Sequence, residues 1–260
     1  MNPIEQFENE VNGNIERLMA VEELPSESLA WMLRVGVIGS YPYNFEWLGR
    51  PIIQYPQDIL AMQELIWTIK PDLIIETGIA HGGSLIFSAS MLALLDMGEA
   101  IENGATINPR DSKRKVLGID IDIRTHNRDA IEAHAMSSRI QMIQGSSIAQ
   151  DVIDQVREIA KSYKRVLIFL DSNHTHEHVL AELKAYADLT SVGSYCVVFD
   201  TLIEDMSADM FLDRPWGPGN NPKTAVWEYL KTHPEFEIDK MIQNKLLITV
   251  APDGYLKRIR

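Results

Sequence analysis

The chain has one cysteine, Cys196, so no internal disulfide framework is available to it. That cysteine lies in an apolar run and reads as a buried core thiol. Basic residues are in deficit. With 24 Lys+Arg against 37 Asp+Glu the net charge is −13, which disfavours nucleic acid or an anionic membrane as a partner. No uninterrupted apolar run reaches the ~18 residues of a membrane span. The start, "MNPIEQFENEVNGNIERL", lacks the pattern of a secretory signal. A cytoplasmic protein without a membrane span is therefore the expectation. The phosphate-binding fingerprints G-x-G-x-x-G and G-K-[ST] are missing from the glycine-rich stretch. So is any lysine or arginine between Lys70 and Arg110, which leaves nothing local to clamp a pyrophosphate.

What is present is an alternation. Apolar, β-branched runs occur at "DLIIET", "KVLGIDI", "IQMIQG", "RVLIFLD" and "YCVVFD". Helix-like patterns cover 57–69, 83–96, 127–137, 149–163 and 176–189. Nearly continuous apolar strands separated by helices predict a parallel sheet covered on both faces, a doubly wound, Rossmann-like α/β fold. "KLLITVAPDGYLKRIR" holds two strand-like runs around "PDG" and predicts a closing C-terminal antiparallel hairpin, which makes the sheet seven-stranded. Residues 1–56 stand outside the alternation and read as a helix followed by a substrate-covering loop, "GVIGSYPYNFEWLGRPIIQYP". The main domain is then 57–260.

In such sheets ligands bind at the carboxyl ends of the strands, where the strand order reverses. Those ends carry Glu76-Thr77-Gly78, Asp120-Ile121-Asp122, Gly145-Ser146-Ser147, Asp171-Ser172-Asn173-His174 and Asp200-Thr201. Four of the five carry an acid, which favours a deliberate cluster. Gly78, Gly82 and Gly83 would let a ligand approach the backbone, and the following helix offers free N–H groups and a partial positive charge. A small ligand with one carboxylate and cationic groups suits this edge. S-adenosylmethionine fits: its carboxylate at His81–Ser84, its ammonium near Glu76, its ribose on Asp120. A ligand-free tight turn and a nicotinamide cofactor are the competing readings.

"WLGRPIIQYPQDILAMQELIWTIKPDLIIETGIAHGGS", "LGIDID", "LDSNHTHEHV", "VVFDT" and "PWGPGNNPKTAVWEYL" together resemble the cephalosporin-hydroxylase/rhamnosyl O-methyltransferase family over roughly residues 40–255. The resemblance implies the fold of class I S-adenosylmethionine-dependent methyltransferases and O-methyl transfer. It implies that Glu76, Gly78, His81, Gly82 and Ser84 form the methionine-end site and Asp120 the ribose site. Ser146 and Ser147 would line adenine. Asp171 and Asp200 would bind a divalent metal, expected to be Mg²⁺, with Thr201 as a further ligand. The chain departs from some relatives in having Phe199 and Thr201 on either side of Asp200. His174, three residues past Asp171, is the implied base. His176 and His178 read as solvated residues at a helix start. Trp216 and Asn221, in the Pro/Gly-rich loop and its helix cap, are assigned to the acceptor. The expected partner is a small-molecule or glycan substrate, with a homo-oligomer left open. The acceptor is expected to be a sugar hydroxyl. A tailoring methyltransferase on a non-sugar scaffold and a donor-binding protein without turnover are the alternatives.

Overall fold

The computed structural model describes residues 2–260. It begins with two helices, α1 (Pro3–Met19) and α2 (Leu24–Gly39), then a single 3₁₀ turn at Tyr41–Tyr43. A small antiparallel hairpin follows, β1 (Phe45–Trp47) and β2 (Arg50–Ile52). The segment expected to be one helix and a loop is thus largely structured. The body runs α3 (Pro56–Ile69), β3 (Leu73–Thr77), α4 (Gly83–Asn103), β4 (Lys115–Asp120), α5 (Thr125–Glu132), β5 (Ile140–Gln144) and α6 (Gln150–Ala160). It continues with β6 (Val166–Leu170), α7 (His176–Tyr186), β7 (Tyr195–Val198), α8 (Pro222–Leu230), β8 (Phe236–Ile238), α9 (Lys240–Leu246) and β9 (Tyr255–Arg258).

The strands form a seven-stranded sheet in the order β5-β4-β3-β6-β7-β9-β8. The first five pair in parallel, and β9 runs antiparallel to both β7 and β8. The order reverses between β3 and β6, so the crevice at their carboxyl ends is the ligand position for this topology. The closing hairpin exists, but its first strand is Phe236–Ile238 rather than the 245–250 run. Those residues are diverted by side-chain hydrogen bonds. The buried Asp58 carboxylate accepts the Val250 N–H at 3.0 Å and the Thr249 and Tyr255 hydroxyls, while Leu246 ends α9.

Strand alternation decides what each face buries. Ile74, Val116, Leu167, Phe169 and Val197 face a core shared with α3 and α4. Leu73, Ile75, Leu117, Ile168, Cys196 and Val198 face the layer of α6, α7 and α8. Cys196 is buried, as its apolar setting implied. Phe199 is also core, edge-on to Phe169. By length and composition alone α4 is long and apolar enough to cross a membrane. Here half of its most apolar window is buried, with Leu85, Ile86, Phe87 and Leu92 packed into the core.

Candidate active site

The turn after β3 is shaped by its own neighbours before any ligand arrives. Gly78 has φ +89°, and a Cβ there would overlap the carbonyl of Asp171 at the end of β6. Gly83 admits Pro51 of the N-terminal hairpin in the same way, since a Cβ would overlap the Pro51 carbonyl. So Gly78 lets two strand ends meet, and Gly83 lets the hairpin seat on the start of α4. Asp120 then locks the turn. Its Oδ2 accepts the N–H groups of Ile79 (2.8 Å) and Ala80 (3.3 Å), and its Oδ1 accepts that of Asp122 (3.0 Å). Arg50, on the hairpin, supplies the cation absent from the local sequence. Its Nε donates to the His81 carbonyl at 3.1 Å, and its Nη2 donates to that carbonyl and to Asn127 Oδ1. Asn127 Nδ2 completes the brace on the Ala80 carbonyl at 2.9 Å.

Beneath this turn lies Glu76, 2% exposed. Ser84 donates its hydroxyl to Oε1, and Oε2 has no partner. Burial pushes the carboxyl up to about 8, against the pull of the Ser84 hydrogen bond.

A cavity of about 330 Å³ opens beside the turn. Gly78, His81, Ser84, Asp120, Asp171, His174 and Asp200 all line it, together with Tyr43 and Gln54 from the N-terminal segment. A smaller cavity of about 90 Å³ shares Gly78, Asp120 and Ser172 with it and adds Ser146, Ser147 and His178. Most of the expected residues therefore divide between two adjoining spaces, with Gly78 and Asp120 on the wall of both, while Glu76, Gly82 and Trp216 line neither.

At the acid end, ligand atoms of Asp171, His174 and Asp200 lie within 4.8 Å of one another. His174 Nε2 stands 3.3 Å from Asp200 Oδ2. Gln54 donates Nε2 to Asp171 Oδ2 at 3.2 Å. Asp171 is held well above the usual carboxylate range, first by burial, then by Asp200, Glu76, Glu182 and Asp58. Among the described residues no lysine or arginine lines this cavity, so the acids there have no fixed countercharge from the lining. Hard oxygen donors plus one imidazole, close-set and uncompensated, fit a small divalent cation. Trp216 packs edge-on against His174 with ring centres 4.9 Å apart, and the Arg214 guanidinium lies 5.4 Å from the Trp216 ring.

Two expected residues do not join this group. Thr201 is fully buried and donates its hydroxyl to the Pro252 carbonyl at 2.6 Å, so His174 is the third member in its place. Asn221 is likewise fully buried. Its Oδ1 accepts the Lys223 and Thr224 N–H groups as the cap of α8, and its Nδ2 donates to Glu204 and the Gly217 carbonyl. Its side chain is spent on the helix start and the loop. His176 and His178 are not solvated ends either. His176 bridges to Thr224 and Glu228 of α8, and His178 reaches Ser147, Ser172 and Glu182. Sequence reading missed Arg50, Gln54 and His178 as site residues. The first two follow from the hairpin and the third from the i, i+4 spacing of His178 and Glu182.

Comparison with known proteins gives a family and a fold. The family model described as rhamnosyl O-methyltransferase/CmcI matches residues 39–259. The rhamnosyl O-methyltransferase of Mycobacterium leprae is 28% identical over 237 residues, 90% of this chain and 92% of the relative. That of Mycobacterium bovis is 28% identical over 204 residues, 77% of this chain and 73% of the relative. Among solved structures, a CmcI structure described as its Mg-SAM form superposes with a TM-score of 0.55 at 18% identity, over 84% of this chain and 78% of its own. The TDP-rhamnose 3'-O-methyltransferase of calicheamicin biosynthesis, in its apo form, gives 0.51 at 17% identity, over 99% and 95%. These two superpositions show a shared fold. With its family model matched across nearly the whole sheet, the chain belongs to the rhamnosyl O-methyltransferase/CmcI family.

Proposed function

We propose that this chain, an S-adenosylmethionine-dependent O-methyltransferase by family, methylates a sugar hydroxyl with the help of a divalent cation at Asp171 and Asp200. The observation that carries the reading is the close-set, uncompensated acid group facing the same cavity as the braced glycine turn. The sugar acceptor is supported by the rhamnosyl O-methyltransferases to which the chain is 28% identical.

The donor supplies an already activated methyl group, and a bound cation would supply positive charge to orient and acidify a hydroxyl. The chain's residues do the rest. The braced turn and the N-terminus of α4 receive the donor's carboxylate, with Glu76 below as a hydrogen-bonding floor. Asp120 faces the junction of the two cavities, where the ribose would lie. Asp171 and Asp200 would hold the cation, and Gln54 fixes one Asp171 oxygen. His174 takes the hydroxyl proton as methyl transfer proceeds, assisted by Asp200, which steadies the imidazolium. Tyr43, Pro51, Ile53, Gln54 and Tyr55 wall the cavity on the N-terminal side and Trp216 flanks His174, which suits them to excluding water around the acceptor. The test is methyl transfer from labelled donor to a panel of glycosides and sugar nucleotides, with and without chelator. Transfer to rhamnosyl or related acceptors only when a divalent ion is present is expected. Donor binding without transfer to any sugar overturns the acceptor assignment.

A further inference from the structure

The small cavity has a polar floor that the proposed reaction does not use. Glu182 of α7 is fully buried, and its Oε2 has no hydrogen-bond partner. Its Oε1 accepts the Ser172 hydroxyl at 2.6 Å. One turn earlier on the same helix face, His178 places Nε2 3.6 Å from that carboxylate oxygen, 3.0 Å from Ser147 Oγ and 3.2 Å from Ser172 Oγ. The Ser147 carbonyl accepts the Tyr186 hydroxyl, which pins the serine's backbone. Among the described residues no lysine or arginine pairs with Glu182 in a salt bridge; its salt-bridge partner is His178, and the acid Asp171 is close enough to feel its charge.

Hydrogen-bond accounting then fixes a direction. Ser172 has spent its proton on Glu182, so it can only accept from His178. A lone pair on His178 Nε2 would face a carboxylate across low-dielectric space, whereas an N–H there is attracted to it. Nε2 therefore carries the hydrogen and donates to both serines. Ser147 Oγ is consequently an acceptor toward His178, and its own hydrogen is free to turn into the cavity that Ser147 and His178 both line.

We infer that His178, oriented by buried Glu182, is a positioning residue that makes Ser147 a hydrogen-bond donor to a ring nitrogen of the donor's purine base. The inference rests on the donor-binding reading above and deepens it. The chemistry recognised is an unprotonated aromatic nitrogen, so replacing that nitrogen by C–H removes the acceptor and little else.

Calorimetry of S-adenosylhomocysteine and its 1-deaza, 3-deaza and 7-deaza analogues tests this. In the unaltered protein one analogue should bind about 3- to 10-fold more weakly than the parent, the scale of one neutral hydrogen bond. Ser147→Ala should abolish that preference. His178→Leu should abolish it too, and His178→Gln, which restores an N–H near the Nε2 position, should recover most of it. Glu182→Gln should reduce it. Each readout is a ratio of two affinities in one protein, so a general loss of stability cancels. If His178→Leu fails to fold, Ser147→Ala and Glu182→Gln still decide. An unaltered protein that binds the parent yet discriminates against no analogue overturns the inference, as does full discrimination retained in His178→Leu or, should that variant not fold, in Glu182→Gln. Failure to bind the parent at all overturns the donor-binding reading instead.

Discussion

The two sides of the cleft are built on opposite principles. On the donor side, the backbone of the glycine turn is already held by the protein. Asp120 receives Ile79 and Ala80 N–H groups, and Arg50 and Asn127 donate to the His81 and Ala80 carbonyls. On the acid side, Asp171 and Asp200 have Gln54 and His174 as neighbours, and no fixed cation lines the cavity. A saturated surface is preorganised and meets its ligand without rearrangement. A surface with concentrated like charge is strained until something positive arrives. The comparison places rigidity where the donor would dock and charge demand where the acceptor would react.

The largest effects should come from the acid side. Chelation, or Asp171→Ala, should abolish turnover while calorimetry still finds donor affinity close to that of the untreated protein. Donor affinity lost in parallel would merge the two sides into one site. His174→Gln comes next, with kcat lowered by ~10²–10⁴, the scale of losing a positioned base. Divalent-ion titration of that variant sharpens the assignment. Unchanged ion affinity supports the base role, whereas a large loss makes His174 a ligand, which its distance to Asp200 also permits.

Donor-side changes should be smaller and should appear in binding. Asp120→Ala should weaken the donor by ~1–3 kcal/mol, as expected when a charged acceptor is removed. Because Asp120 also holds Ile79 and Ala80, hydrogen exchange at those two amides should speed up in the same variant. Unchanged exchange would mean the turn is held by Gly78 packing and the Arg50–Asn127 brace without Asp120.

The two sides were not equally legible. The parallel sheet was readable because five apolar runs end in turn residues, and Gly78, Asp120, Asp171 and Asp200 all fall where those runs stop. The hairpin that supplies Arg50 and frames Gln54 was not. Its two-residue turn is Leu48-Gly49, both at positive φ, with leucine at the first position, where asparagine, aspartate or glycine would have signalled it. Strand β8 has three residues, too few to show a period, and the "KLLITV" run that imitates a strand is held off by Asp58. Thr201 and Asn221 have the right residue types at plausible offsets. Only the three-dimensional count of their hydrogen bonds shows them already committed.

Glu76 offers a test of how dry the donor floor is. Its carboxyl titrates at about 8 in the folded chain against 4.5 for an unperturbed group. Between these values the folded chain binds more protons than the unfolded one, so stability is greatest below the window and falls as pH rises through it. The slope from a single such group approaches about 1.4 kcal/mol per pH unit inside the window. Urea melts of the donor-free protein across that range should show the decline, and Glu76→Gln should flatten it. A Glu76→Gln protein with the original slope would assign the effect to other groups, with Asp58, raised to about 6, the next to examine.

The smallest expected effect lies where the two sides meet the outside. Trp216 touches His174 edge-on and is itself flanked by Arg214, so its loss removes one aromatic contact and part of a wall. An aromatic pair contributes ~0.5–1.5 kcal/mol, which converts to about a 2- to 12-fold change. Trp216→Ala should show that change in the acceptor KM, with donor affinity unaltered, and Trp216→Phe should keep most of the original value. The split between KM and kcat identifies what the ring does. A rise in KM with constant kcat makes it a wall for the acceptor. A fall in kcat with constant KM means it acts by holding the His174 imidazole in place. Equal weakening of the donor would carry the loop across to the other side of the cleft, and the division between a braced half and a charged half would no longer hold at this point.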